Sequence, residues 1–195
     1  MSFKTIRRAV VGLVGVAALV LMTGCAHQVS MTPDTKQLAA APAKINKSIA
    51  YVISAADLTK EVQTPGGGGD KIKYQPYRDL DGALYQAFSA VFADVSKVTN
   101  ASEAKGVTFV ITPSITTNSS SDSMFTWPPT QFSVDLVCSV ADIKGQAVTE
   151  VRASGKGAAT FDQFKSDLSL AARLASMDAV NNLVKALTDS AELRR

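Results

Sequence analysis

Residues 45–54 alternate, with Ile45, Ile49, Tyr51 and Ile53 at odd positions and Asn46, Ser48 and Ser54 at even ones. A period of two predicts a strand with one buried face and one wetter face. Residues 55–70 break the pattern with Pro65 and the run Gly66 to Gly69, and read as a long connecting loop. A short strand is expected over 71–77. The period then changes: Leu80, Leu84, Phe88, Val91, Phe92, Val95 and Val98 recur every three or four residues. That spacing predicts an amphipathic helix running to Val98, with Asp79 as its cap.

Strand spacing returns over 107–117, where Val107, Phe109, Ile111 and Ile115 share a side. Pro113 on the same side points to an edge or a bulge, because it cannot donate to a ladder. Residues 132–141 and 146–161 predict a hairpin around Asp142-Ile143-Lys144-Gly145, with Gly155 and Gly157 bending the second arm. A final helix is expected over 166–193, its stripe formed by Leu168, Ala172, Ala175, Ala179, Leu183 and Leu187. Two helices with one apolar stripe each, beside alternating strands, are covered most economically by one layer of helix on one face of a sheet. The expected fold class is α+β: a two-layer sandwich with a mostly antiparallel sheet of four to five strands and two helices on one face.

The amino terminus has a different pattern. Lys4, Arg7 and Arg8 precede 14 uncharged residues, 9–22, the layout of a secretory signal. The apolar run falls short of the ~20 residues that span a bilayer. It ends in Leu21-Met22-Thr23-Gly24-Cys25, which resembles a bacterial lipobox, with Met22 where Leu is usual. Such a motif implies cleavage after Gly24 and acylation of Cys25. The plainer reading is a cleavable signal in which Cys25 is incidental. Each buried CH₂ contributes ~0.8 kcal/mol, so two or more chains hold a protein on a membrane nearly permanently. Ala26, rather than Asp, follows the cysteine, as in lipoproteins sorted to the outer membrane. The expected organisation is 1–24 signal peptide, Cys25 with a flexible tether over 26–44, and a single periplasmic domain over 45–195. As a coil the tether would span about 25 Å, and at full stretch about 65 Å.

Cleavage changes the charge balance. The chain carries 20 Lys and Arg against 17 Asp and Glu, and the signal holds three of the bases and no acid. The mature protein is formally neutral, without the basic surplus that phosphate contacts require. No nucleic-acid partner is expected.

Chemistry is restricted further by Cys and His. With Cys25 lipidated, Cys138 is the sole remaining thiol, so no internal disulfide forms. Cys138 falls among Phe132, Val134, Leu136 and Val140 on an apolar strand face and reads as a small buried hydrophobe. The single histidine, His27, lies in the expected tether, where nothing would hold it as a catalytic base. Multi-His or multi-Cys zinc sites are excluded by count. Asp57, Glu61, Asp79, Asp81, Asp142, Asp162 and Asp167 are available for acid/base work. Each has a structural reading, as helix cap or turn former, that is simpler. Gly66 to Gly69 precedes a strand-like segment, and Ser154-Gly155-Lys156-Gly157 lacks the rest of a P-loop, so neither fits a phosphate motif. No catalytic residue, cofactor or metal is expected.

The connection over 118–130 carries the candidate contact residues. It is long for a hairpin loop and joins a Ser-rich run to Met124, Phe125, Trp127, Pro128 and Pro129. Met and aromatic side chains are enriched in interface cores. One reading makes Met124, Phe125 and Trp127 a patch for a partner protein or the membrane surface, stiffened by Pro128 and Pro129. The other folds Phe125 and Trp127 back over an open sheet edge.

The lipobox, the tether, the early strand, Tyr77-Arg78-Asp79-Leu80 opening a helix, the 142–145 hairpin and Asp178-Ala179-Val180-Asn181-Asn182-Leu183 in the final helix together resemble the YajG-type family of bacterial lipoproteins. The resemblance covers most of the mature chain and departs at Gly66 to Gly69 and at 118–130. It implies an outer-membrane lipoprotein and supplies no catalytic motif. The function expected is therefore a lipid-anchored, non-enzymatic interaction module. Its partners would be the membrane, through acyl chains on Cys25, and an envelope protein; a homo-oligomer is left open. Two further classes remain: a small-ligand or lipid-binding auxiliary lipoprotein, and a carboxylate-based hydrolase of cell-wall glycan.

Overall fold

The chain's alternating segments form two sheets rather than one. The structure, a computed structural model, describes residues 26–65, 71–121 and 128–195. The elements in order are β1 (Ala26–Gln28), β2 (Ile45–Val52), α1 (Ala55–Thr59), β3 (Val62–Pro65), β4 (Lys71–Tyr74), α2 (Pro76–Val91), β5 (Phe92–Val98), β6 (Phe109–Ser120), β7 (Gln131–Asp142), β8 (Ala147–Ala158), α3 (Phe161–Ser166), α4 (Leu170–Asp189) and α5 (Ala191–Arg194). The main sheet has the order β5-β2-β6-β7-β8, and a smaller one has the order β1-β4-β3.

The α+β class stands, but the sheet is not mostly antiparallel. β2 pairs parallel with both β5 and β6, while β6, β7 and β8 form an antiparallel meander. The β2–β5 pairing follows from α2, which crosses over from the small sheet and delivers β5 alongside β2, and the connection over 99–108 carries the chain back to start β6 in the same direction on the other side of β2. α2 and α4 cover the same face of the main sheet. Phe88 of α2 packs on Tyr51 of β2 with ring centroids 5.4 Å apart, and α4 lies on β7 and β8. Leu80, Leu84, Phe88 and Val91 are buried under this layer together with Ile49, Tyr51, Ile111, Leu136, Cys138 and Leu183.

Several expectations need correction. The helix over 79–98 ends at Val91, and Phe92 turns the backbone extended (φ −102°, ψ 156°) to begin β5 with no loop between. Spacings of three at Phe92, Val95 and Val98 continue the helical period rather than the strand period of two, and no Gly or Pro marks the switch. Pro76 opens α2 and Gln75 is its cap residue, so Asp79 lies inside the helix. The expected loop over 55–70 contains α1, capped by the Ser54 side chain, and β3, which pairs with β4. The final helix expected over 166–193 begins at Leu170 and is divided into α4 and α5, and a separate short helix, α3, precedes it. Thr160 and Gln163 form a capping box at the start of α3.

Pro113 lies in a central strand. β2 pairs with β6 only at Phe109, Val110 and Ile111, so beyond Ile111 that side of β6 has no ladder for a missing N–H to break. Gly155 and Gly157 do not bend β8, whose register with β7 shifts only between Val140 and Ala141. They let α4 approach: a Cβ on Gly155 would collide with the backbone of Ala175 and Ala179, and one on Gly157 with that of Ala171 and Ala175. The hairpin turn is as expected. Gly145 adopts φ 81°, its N–H donates to the Asp142 carbonyl, and the Asp142 carboxylate accepts from the N–H groups of Lys144 and Gln146.

The largest correction concerns residues 26–44, expected as a free tether. They form a strap bound to the body. β1 pairs parallel with β4, matching Ala26 to Lys71. Val29, Met31 and Pro33 are buried, Met31 fully so. Backbone N–H groups along the strap donate to the body: Val29 to the Lys73 carbonyl (3.0 Å), Ser30 to Ser169 Oγ (3.0 Å), Met31 to Asp79 Oδ2 (2.9 Å) and Ala39 to Asn181 Oδ1 (2.8 Å). Burying a methionine and a valine offsets the ordering entropy that a polar coil could not offset.

Candidate functional site at the end where the strap enters

Three structural features converge at one end of the molecule. Gln131 pairs with both Ser120 and Ala158, so β6 ends, β7 begins and β8 ends together. α3 starts three residues after β8, and α4 follows it back over the sheet. The small sheet joins them: the Tyr74 hydroxyl bonds Thr117 Oγ1 at 2.8 Å, and its ring meets Phe132 edge-on at 5.3 Å. The amino-terminal strap enters here through β1 and the Ser30–Ser169 bond.

Of the residues singled out by sequence, Gly24, Cys25, Met124, Phe125 and Trp127 lie outside the described residues, as does the Gly66 to Gly69 run. Pro128 is half-buried and Pro129 buried at the base of the β6–β7 connection. The Pro128 carbonyl accepts from the Thr130 N–H at 2.8 Å, and the Thr130 carbonyl accepts from Ala159 at 2.8 Å. Thr130 thus joins the base of the connection to the residue that follows β8. A groove of about 480 Å³ lies at this end of the sheet, lined by Asn118, Ser120, Gln131, Phe132, Lys156 and Ala158. A second open cavity, about 690 Å³, lies at the opposite end of the sheet near Ala101, Val110 and Ile143. Its position is not the one expected for a ligand pocket, which was between sheet and helices.

The carboxylates have structural partners. Asp57 accepts from the Ser54 hydroxyl at 2.6 Å. Asp79 accepts from the Met31 N–H and holds the strap. Asp81 accepts from the Tyr51 hydroxyl at 2.9 Å and pairs with Lys97. Burial pushes the Tyr51 hydroxyl pKa well up, and the Asp81 bond adds to it. Glu61 pairs with Lys73, and Asp162 with Lys165. Asp167 binds Arg173, and that hydrogen bond is the main cause holding its carboxyl below the usual range. Among the described residues, no three or more His, Cys, Asp or Glu side chains are grouped to hold a metal ion. Cys138 is fully buried and its thiol is pushed up to about 12 by that burial. It therefore carries no thiolate at neutral pH, as the apolar-face reading expected.

The Asp178–Leu183 segment is structural too. Asp178 Oδ2 accepts from the Lys156 N–H at 3.0 Å, and Asn182 Nδ2 donates to the Ser154 carbonyl at 2.8 Å. These bonds occupy outward-facing backbone groups of β8, the edge of the main sheet. Asn181 fixes the strap through Ala39. Sequence reasoning missed the strap because its signal is two apolar residues, Val29 and Met31, in an otherwise Ala-, Thr- and Pro-rich stretch.

No family model matches the chain, and no curated protein matches it. Among solved structures it is similar to a candidate lipoprotein from Caulobacter crescentus CB15, at 15% identity and a TM-score of 0.33, over 65% of this chain and 85% of that one. The neighbour is of lipoprotein kind and does not identify the YajG-type family. Among the described residues, no helix is long and apolar enough to cross a membrane.

Proposed function

We propose that the chain is a lipid-anchored, non-enzymatic interaction module, held on the periplasmic side of the outer membrane, that assists assembly or stability of a cell-envelope complex. The observation that carries this reading is the run Leu21-Met22-Thr23-Gly24-Cys25, with the first strand of the body beginning at the next residue. Lipidation of that cysteine confines the protein to a surface, where association needs little intrinsic affinity. The engagement of the carboxylates in caps, turns and ion pairs, and the inert state of Cys138, support a role in contact rather than catalysis.

The test is fractionation and intact mass. The protein extracted from membranes is expected to start at Cys25 with added acyl mass, and Cys25→Ala is expected to move it to the soluble periplasmic fraction. An unacylated, soluble wild-type protein would overturn the reading.

A further inference from the structure

Lipidation at Cys25 and the binding of the strap together fix an orientation. Consecutive Cα atoms are about 3.8 Å apart, so Ala26, already paired with Lys71 in the small sheet, is one step from the residue that carries the acyl chains. The slack of about 25 Å that a free coil would give is lost. β4 runs inward along the main sheet: Tyr74 reaches Thr117 and Tyr77 reaches Ile115. Lys71 and its neighbour Ala26 therefore lie outward of Thr117, at the end where β6 and β8 finish.

This end also carries exposed apolar side chains. Among the described residues, four large hydrophobic side chains are exposed. Phe161 (58% exposed) opens α3 just past β8, and Leu174 (45%) sits in α4 where that helix crosses Gly157. Lys165 lies over the Phe161 ring at 4.9 Å. An aromatic ring beside a lysine suits a lipid headgroup region, where the ring is half-buried and the ammonium stays wet.

We infer that the anchored protein rests on the phospholipid surface by this end, with Phe161 against the headgroups, the strands of the main sheet leading away from the bilayer, and the Asp142–Gly145 turn pointing into the periplasm. β7 alone sets the turn roughly 35–40 Å from the surface. The inference rests on the proposed lipidation of Cys25. The polar outer sheet face and the cavity near Ile143 are then presented to the periplasm.

The test uses the full lipidated protein in vesicles of phosphatidylethanolamine and phosphatidylglycerol doped with a nitroxide-headgroup lipid. Single variants Phe161→Cys and Ile143→Cys are labelled with a fluorophore; buried Cys138 does not react. Strong quenching at position 161 and none at 143 is the expected result. Inserting about 20 Gly and Ser residues between Cys25 and Ala26, which restores coil slack, is expected to reduce the quenching at 161 several-fold. Equal quenching at the two positions, or quenching at neither, would overturn the orientation while leaving the anchor in place, and a difference that survives the insertion would overturn the strap as what fixes it. Intact mass on the same sample separates that outcome from failure of lipidation, which would remove the basis of both.

Discussion

The strap over 26–44 and the helix α4 both close the same core, yet they are written in different ways. α4 buries Ala172, Ala175, Ala179, Leu183 and Leu187 along a continuous stripe, and its contact with β8 is tightened by two glycines. The strap buries Val29, Met31 and Pro33, packs Leu38 and Ala41 partly against the core, pairs β1 with β4, and is held further by backbone N–H groups donating to Lys73, Ser169, Asp79 and Asn181. Periodicity reveals the first kind of packing and misses the second. A segment with almost no apolar pattern is still part of the fold when the body supplies prepared acceptors.

The comparison can be broken most directly at Met31. Met31→Ala is expected to cost about 3 kcal/mol, a fall in Tm of roughly 6–12 °C for a domain of this size; a free tether would show no change by calorimetry. The helix side is probed by Gly155→Ala. The added methyl meets backbone atoms that cannot rotate away, so a loss of about 2–3 kcal/mol is expected by denaturant unfolding. A bend-forming glycine would tolerate the change far better.

The smallest effect is at the clasp between the two regions. The Asp167 carboxylate accepts from the Ser169 N–H, and the Ser169 hydroxyl accepts from Ser30. Asp167 has a folded pKa held down chiefly by Arg173. A depressed carboxylate pKa adds stability above the unfolded value near ~3.9, and that stability is lost as pH falls through the folded value. The site is exposed, so Asp167→Asn is expected to cost on the order of 0.5 kcal/mol at pH 7. The cost should shrink toward zero in unfolding curves as pH is lowered through the depressed folded value.

Much of the fold was readable before the structure. The alternation at Ile49, Tyr51 and Ile53, the α4 stripe, the Asp142–Gly145 turn and the buried state of Cys138 are local facts that periodicity and turn chemistry report. What escaped is nonlocal or unpunctuated. The parallel pairing of β2 with β5 and β6 depends on where α2 and then the 99–108 connection deliver the chain. The change from helix to strand at Phe92 carries no breaker. Asp79 reads as a cap because its partner, Met31, is 48 residues away. At the candidate site, Pro128 and Pro129 are placed at the end where the strap enters, while the importance of Phe161 there depends on which end β1 enters.

Native-state hydrogen exchange across residues 26–44 tests the central claim most directly. The amides of Val29, Ser30, Met31 and Ala39 are expected to exchange slowly, with Met31 approaching the protection of the β7 core. Exchange of all four at unstructured-chain rates would show that the strap is a tether after all, and would remove the basis of the proposed orientation.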